Sequence, residues 1–225
     1  MRHLPVLIVI FFFSCDAENT SRKKIASLQN ADQNQKYQVG MACMQYISRY
    51  GEDLAYSKTL VKKLIEIGFF AEAIYAVELL LEKFPGDPEL FYLRGTAYRN
   101  QHQYDFALKD LNHALKLQPA NNTFSTGLRS AQEELVTWNE IQSLNETLTT
   151  SADSFDVLFQ RAEKFLAIRQ YDAVLFDLGA ISKMRTTADS IYFNQKVSEL
   201  YKDTQRPVEK LSEMLEYFRG LKGTK

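Results

Sequence analysis

The stretch that decides the fold is Pro88–Asn121, PELFYLRGTAYRNQHQYDFALKDLNHALKLQPAN. Its first half has helical spacing, with Gly95 between two aromatic residues on one face, so that the glycine leaves a notch. Its second half carries Ala107 and Ala114 on a second apolar face, where small side chains allow another helix to approach closely. Asp87 precedes the stretch as an oxygen cap before a proline in the first turn. The stretch therefore predicts two short helices packed as an αα-hairpin.

Eight positions of this hairpin carry a family resemblance: Phe91, Gly95, Tyr98, Tyr104, Ala107, Leu111, Ala114 and Pro119. Their identities and spacing resemble those of the tetratricopeptide repeat. The resemblance implies an all-α fold, a tetratricopeptide-repeat α-solenoid of antiparallel helix pairs. It also implies a protein-binding scaffold rather than a catalyst.

Two further repeats are predicted, at residues 54–87 and 155–188. The first begins 34 residues before Pro88, which is the period of the family. It departs from the pattern at Val61 and Leu80, which replace the notch glycine and the second alanine, so we expect its helices to be further apart or to cross at a shifted angle. Gly68 falls in its turn, where positive φ is easiest for glycine. The repeat at 155–188 keeps both helices and the turn.

Residues 122–149 break the repeat pattern. Apolar residues recur every three or four positions without a turn signal, which predicts one long helix. The helix either joins two repeat blocks, which we favour, or forms a coiled-coil seam. Trp138 lies on its apolar stripe, either as a core residue or as an exposed anchor for a partner.

The flanking segments predict helices that close the ends of the repeats. In residues 36–50, Tyr37, Met41, Met44 and Ile47 have the spacing of an amphipathic helix that covers the first repeat. Cys43 lies in the same pattern and is predicted to be a small buried hydrophobic residue. Residues 189–202 are expected to cap the third repeat. The apolar stripe of the last helix, 208–221, either packs on the chain or forms a partner surface.

The start of the chain resembles a bacterial lipoprotein signal. Residues 1–14 have a basic start and an apolar run too short to span a membrane, and Cys15 follows a small residue. The resemblance implies that Cys15 is lipidated and becomes the first residue of the mature chain. The alternative is an ordinary signal peptide cut nearby, with Cys15 incidental.

Residues 15–35 comprise this cysteine and a polar stretch with little apolar periodicity, which predicts a flexible tether. Twenty such residues would separate anchor and domain by roughly 25 Å on average. Arg22, Lys23 and Lys24 either contact anionic headgroups or only keep the tether soluble. The repeat domain is expected to occupy 36–225.

Composition argues against several classes of function. The net charge of −1 gives no sign of the basic face that nucleic-acid binding requires. Three histidines and nine glycines are few for a metal site or a phosphate-binding loop, so we expect no metal and no cofactor. No nucleophile with a base and no ligand cluster is visible, which predicts that the protein is not an enzyme and has no small-molecule substrate.

The family resemblance implies a groove lined by the outward residues of each first helix: Lys58, Lys62, Tyr92, Thr96, Arg99, Phe159 and Glu163. A protein or peptide is the expected partner in this groove, although the convex side remains an alternative. The sequence thus predicts a membrane-anchored, non-catalytic adaptor or scaffold of the bacterial cell envelope. The alternative is a structural subunit of an outer-membrane transport or uptake complex. We favour the outer membrane, although Asp16 resembles an inner-membrane retention signal used in some bacteria.

Overall fold

The computed structural model describes residues 18–20, 22–23, 25, 33–150, 154–184, 186–202 and 207–221. Every regular element in those ranges is an α-helix, so the predicted fold class is confirmed. The predicted signal peptide, 1–14, and Cys15 lie outside the described residues. The sequence predicts one repeat domain over 36–225, and the structure places its residues in two compact units that meet between Gln132 and Glu133.

The helices of the described residues follow one another along the chain with short connections. They are α1 (Gln33–Tyr50), α2 (Leu54–Glu66), α3 (Phe70–Lys83), α4 (Pro88–Asn100), α5 (Tyr104–Leu117), α6 (Asn122–Thr150), α7 (Phe155–Ala167), α8 (Tyr171–Lys183), α9 (Thr187–Lys202) and α10 (Pro207–Gly220). The pairs α2–α3, α4–α5 and α7–α8 are the three predicted repeats.

Each repeat starts with the same cap. The side chains of Asp53, Asp87 and Ser154 accept hydrogen bonds from the backbone amides of Tyr56, Leu90 and Val157, three residues further on. Such a cap satisfies one of the amides that a helix N-terminus leaves without a partner. The start of each first helix is therefore fixed locally by a residue that lies before it.

Each repeat also turns between its helices at an equivalent residue with a left-handed backbone. These residues are Gly68, His102 and Arg169, with φ values of 86°, 59° and 60°. The positive φ predicted for Gly68 is confirmed. The other two repeats make the same turn with residues for which this conformation is costlier.

The core of the first unit includes α1, which packs on α2 and α3 as the sequence predicts. The predicted apolar face of α1 is only partly right, because Ile47 is buried but Tyr37 and Met41 are 61% and 51% exposed. The buried face instead consists of Val39, Cys43, Tyr46 and Ile47. Cys43 is buried as predicted, and burial raises the pKa of its thiol to about 11.

The second and third repeats each contain an ion pair between their two helices, and the carboxylate of each pair is buried. Arg94 on α4 donates from Nε and Nη2 to both carboxylate oxygens of Asp110 on α5, at 2.6 and 2.9 Å. Arg161 on α7 grips Asp177 on α8 in the same bidentate way and also donates to Asn145, at 2.7 Å. Two parallel hydrogen bonds to a carboxylate fix the separation and the rotation of the paired helices.

The second unit buries the last helix. Leu211, Met214, Leu215 and Phe218 of α10 are all less than 4% exposed within its core. The apolar stripe predicted for 208–221 is therefore covered by this chain, which rules it out as a partner surface. Helix α9 packs on α8, as expected of a cap for the third repeat.

The predicted long helix is confirmed as α6, and it ends one residue later than expected. Ala131 and Ile141 are fully buried, whereas Val136 is 61% exposed. Trp138 is partly buried, between the two environments considered for it.

Candidate functional site

The structure places the predicted groove residues in both units. Lys58 and Lys62 lie on α2, while Tyr92, Thr96 and Arg99 lie on α4, all in the first unit. Phe159 and Glu163 lie on α7, in the second unit.

The first unit has a cleft of about 440 Å³ where α2, α4 and the start of α6 meet. It brings together Lys58, Lys62 and Tyr92, but it does not include Thr96 or Arg99. The full lining is Lys58, Lys62, Asp87, Pro88, Glu89, Tyr92, Gln118, Asn121, Thr123 and Phe124. Thr96 donates its hydroxyl to the backbone carbonyl of Tyr92 at 2.8 Å, so it supports the cleft from within α4.

Ion pairs between consecutive repeats form one side of this cleft. The ammonium of Lys58 lies 2.6 Å from Asp87 and 3.0 Å from Glu89, and that of Lys62 lies 2.7 Å from the other oxygen of Glu89. Partial burial opposes the charge on Glu89, yet hydrogen bonds from Lys62 and Lys58 outweigh it and lower the pKa of the carboxyl. The charges of the two lysines at this end of the groove are thus balanced by two carboxylates.

The groove predicted from the sequence does not include Asp87 and Glu89, although their positions in the repeat indicate that they can pair with the lysines. Asp87 and Glu89 flank Pro88 at the start of the helix that follows, one repeat after Lys58. In stacked helix pairs, the start of each first helix lies beside the previous first helix. Acidic residues there are therefore within reach of lysines one repeat earlier.

Stacked aromatic rings form the opposite side. The rings of Tyr92 and Phe124 lie 5.0 Å apart at an interplanar angle of 24°, and Phe124 is only 4% exposed. Gly127 lies beneath Tyr92, where a Cβ would come within 2.7 Å of its ring. Because only glycine fits at that distance, the position of the tyrosine ring depends on α6 as well as on α4.

In the second unit, one of the two predicted groove residues is misassigned. Phe159 is 2% exposed and stacks on Phe155 with a centroid distance of 6.0 Å, so its side chain is part of the core. Alignment with Tyr92 failed here because α10 covers this face of α7, with Arg219 over the ring of Phe159, and no local sequence pattern indicates that contact. Glu163 accepts a hydrogen bond from Arg219 at 2.6 Å, beside a cleft of about 400 Å³ between α7 and α10.

A larger cleft in the first unit contains none of the predicted residues. It measures about 690 Å³ and lies between α1 and α3. Its apolar lining includes Tyr37, Met41, Met44 and Tyr75. The helical spacing of Tyr37, Met41 and Met44 indicates an apolar face on α1. The sequence prediction places that face against the first repeat rather than in a cleft.

Groups that suggest chemistry are few in the part of the chain that the structure describes. The rings of His113 and Phe91 pack edge to face at 4.3 Å, and His102 lies 3.2 Å from the hydroxyl of Tyr104. Among the described side chains, no three or more histidines, cysteines or carboxylates are grouped as a metal would require. None of the described helices is both long and apolar enough to cross a bilayer.

Comparison with known proteins supports the repeat assignment at its centre. Residues 88–121 match the family model described as tetratricopeptide repeat. Among solved structures, the chain is similar to YrrB, described as a TPR protein with an unusual peptide-binding site, at 16% identity and a TM-score of 0.37. The similarity covers 80% of this chain and 93% of that one. None of the curated proteins matches the sequence. The fold is all-α and is built from antiparallel helix pairs of the tetratricopeptide-repeat type.

Proposed function

We propose that this protein is a membrane-anchored, non-catalytic adaptor of the bacterial cell envelope that binds another protein in the cleft at Tyr92. The observation that supports the proposal is the cleft itself, where two consecutive first helices and the start of α6 bring paired charges opposite stacked aromatic rings. Helical-repeat scaffolds use surfaces of this kind to hold an extended or helical peptide.

The cleft offers a partner two kinds of contact. Tyr92 presents a ring that is held in place from below by Phe124 and Gly127, so an apolar side chain can pack on it at little cost in side-chain entropy. Lys62 is 54% exposed and Glu89 is 34% exposed, so their ion pair can exchange partners with a bound peptide. We therefore expect aromatic packing to supply most of the affinity and the charges to set the register.

Membrane attachment is proposed through lipidation of Cys15. Replacement by Cys15→Ser, followed by membrane fractionation and intact-mass measurement, tests this part. The native chain should carry a lipid-sized mass and sediment with membranes, and the variant should lose the lipid. A native chain without a lipid on Cys15 would contradict the anchor and leave the binding proposal to be judged separately.

The outer membrane remains the proposed location, and density-gradient separation of the two membranes tests it.

Crosslinking and mass spectrometry of the native protein in its own membrane test the cleft. Two variants change it, Tyr92→Ala and Lys62→Glu, the second at an exposed position that leaves the packed rings intact. Tyr75→Ala is the matched control, because Tyr75 is 55% exposed on α3 and outside this cleft.

Loss of the same partner crosslinks in both cleft variants, with the control unchanged, supports the proposal. If only Tyr75→Ala loses them, the contact surface is the cleft between α1 and α3 instead. Repeating the capture at rising salt separates an adaptor, which should wash off, from a fixed subunit of a larger complex, which should stay.

A further inference from the structure

The described residues that follow Cys15 lie against the first unit. Arg22 donates from Nη2 to Glu18 at 2.7 Å and to Asp53 at 2.6 Å. Its guanidinium also lies over two aromatic rings, 4.3 Å from the centre of Tyr56 and 5.5 Å from that of Tyr46. A planar cation is suited to this combination of carboxylates on its edge and rings on its faces.

Two neighbours extend the contact into the core. Ile25 is only 6% exposed and belongs to the hydrophobic core of the first unit. Tyr46, itself 1% exposed, donates its hydroxyl to Glu18 at 2.6 Å. Together with Arg22, this hydrogen bond holds the pKa of the Glu18 carboxyl below its usual value. Through Glu18, Arg22 and Ile25, this part of the chain contacts α1 and the start of α2. These contacts contradict the free tether that its polar composition predicts.

The same contacts change the expectation for the basic residues. Arg22 is engaged by Glu18 and Asp53, so its charge is compensated within the protein. Lys23 is exposed, and Lys24 lies outside the described residues. Headgroup contact by Arg22, one of the two roles considered for it, would require these ion pairs to break.

We propose that residues 18–20, 22–23 and 25, here called the strap, fasten the N-terminal end of the chain to the corner of the first unit formed by Tyr46, Asp53 and Tyr56, and that this corner faces the lipid bilayer. The membrane half of the inference rests on the proposed lipidation of Cys15. From Glu18 the chain reaches Cys15 in three residues, which span at most ~11 Å. A free twenty-residue tether would average roughly 25 Å.

Hydrogen exchange of the full chain, reconstituted in vesicles of phosphatidylethanolamine and phosphatidylglycerol, tests the strap. The amides of residues 19, 20, 22, 23 and 25 should exchange well below the rate of an unstructured peptide. Arg22→Ala should speed their exchange about tenfold, equivalent to about 1.4 kcal/mol. Glu18→Gln should act in the same direction while leaving the helix cap at Asp53 in place. Lys23→Ala, at the neighbouring exposed position, is the matched control and should leave exchange unchanged.

Unstructured-peptide exchange rates in the native chain would overturn the strap, as would unchanged protection in Arg22→Ala. Thermal melting of each variant shows whether the first unit stays folded. If Arg22→Ala unfolds the first unit, the exchange of Glu18→Gln decides the test.

Energy transfer tests the membrane half in the same vesicles. A dye attached through Glu52→Cys, next to Asp53, should transfer energy to acceptor-labelled lipids, and Arg22→Ala should reduce the transfer. The native Cys43 is buried and does not compete for the label. Equal transfer in both proteins, with faster exchange in the variant, would overturn the bilayer-facing corner and leave the strap standing. Intact mass on the same sample reports lipidation of Cys15 independently, so failure of the anchor is distinguished from failure of the strap.

Discussion

At the two positions where the second repeat places the ion pair of Arg94 and Asp110, the first repeat buries Leu60 and Ala76. Leu60 is 4% exposed and Ala76 is fully buried, whereas Asp110 is buried and the side chain of Arg94 is 21% exposed. The position of Gly95 is taken by Val61, which is also fully buried. Both repeats nevertheless form a cap, a left-handed turn and two antiparallel helices. The same helix pair is thus closed by apolar contact in one repeat and by a bidentate ion pair in the other.

The ion pair and the apolar pair differ in their sensitivity to the loss of one partner rather than in the net stability that they give. Burying two charges costs hydration free energy that their attraction roughly offsets, so an ion pair and an apolar pair of similar volume give similar stability. The ion pair differs in its sensitivity, because removing one partner leaves the other charge buried. The second and third repeats should therefore tolerate the loss of both partners better than the loss of one.

The largest effect is expected in the third repeat, where Asp177 is fully buried against Arg161. Asp177→Ala should lower the free energy of unfolding of the second unit by about 3–5 kcal/mol, because it leaves a buried guanidinium without its carboxylate. Urea unfolding followed by Trp138 fluorescence measures this, since the single tryptophan lies in that unit. Glu140→Ala, which breaks the exposed pair with Lys164, is the matched control and should cost less than about 1 kcal/mol. Equal losses in both variants would show that the buried pair has no special sensitivity.

A smaller effect is expected for Asp110→Ala in the second repeat, because the side chain of Arg94 is 21% exposed and water compensates part of its charge. We expect a loss of about 2–3 kcal/mol in the first unit. The double variant Arg94→Leu with Asp110→Ala installs the residues of the first repeat and should fall within about 1 kcal/mol of the native protein. Amide exchange of α4 and α5 compares the two variants with the native protein. A double variant less stable than the single one would refute the equivalence of the two solutions.

The sequence predicted these elements where the signal was local. The cap at Asp87, the turn at Gly68 and the long helix α6 each depend on residues close along the chain. The bidentate ion pairs were not predicted, because Arg94 and Asp110 are 16 residues apart and each alone resembles a solvated helix residue.

The candidate site was predicted only in part, for a related reason. Lys58, Lys62 and Tyr92 were found because alignment to the repeat places them on first helices. Their carboxylate partners, and the burial of Phe159 under α10, depend on neighbours outside the repeat pattern. The contact of Arg22 with α2 was hidden by the polar composition around it, since composition reports the average of a segment and not a single packed side chain.

The first and second repeats also differ at the notch, where Gly95 of the second repeat stands in the position of Val61 in the first. A Cβ there would lie 2.9 Å from Cγ of Leu111 and 3.1 Å from the carbonyl oxygen of Ala107. Gly95→Ala should therefore destabilise the first unit by about 1–2 kcal/mol, because overpacking outweighs the helix propensity that alanine adds. Gly86→Ala is the control, since its Cβ would meet nothing within 4 Å. Amide exchange of α4 measures both, and a stabilised Gly95→Ala would mean that α5 moves aside for the added methyl group as freely as α3 accommodates Val61 in the first repeat.

The junction between the first and second repeats should respond to pH by a smaller amount. The pKa of Glu89 is lowered from the usual 4.5 by Lys62 and Lys58 against the opposing effect of burial, so its ionised form stabilises the folded state at neutral pH. That contribution is present above the unfolded pKa and is lost as pH falls through the lower folded pKa, which places the change below about pH 5. Because Lys62 is more than half exposed, solvent screening limits the effect to about 0.5–1 kcal/mol.

The opening free energy of the Leu90 amide, corrected for intrinsic exchange rate, should fall over this pH range in the native protein. The fall should be shallower in Glu89→Gln than in Glu82→Gln, which changes an exposed glutamate on α3. Identical slopes in the two variants would mean that the repeats are joined by their apolar core and that the lysine–carboxylate cluster belongs to the binding surface alone.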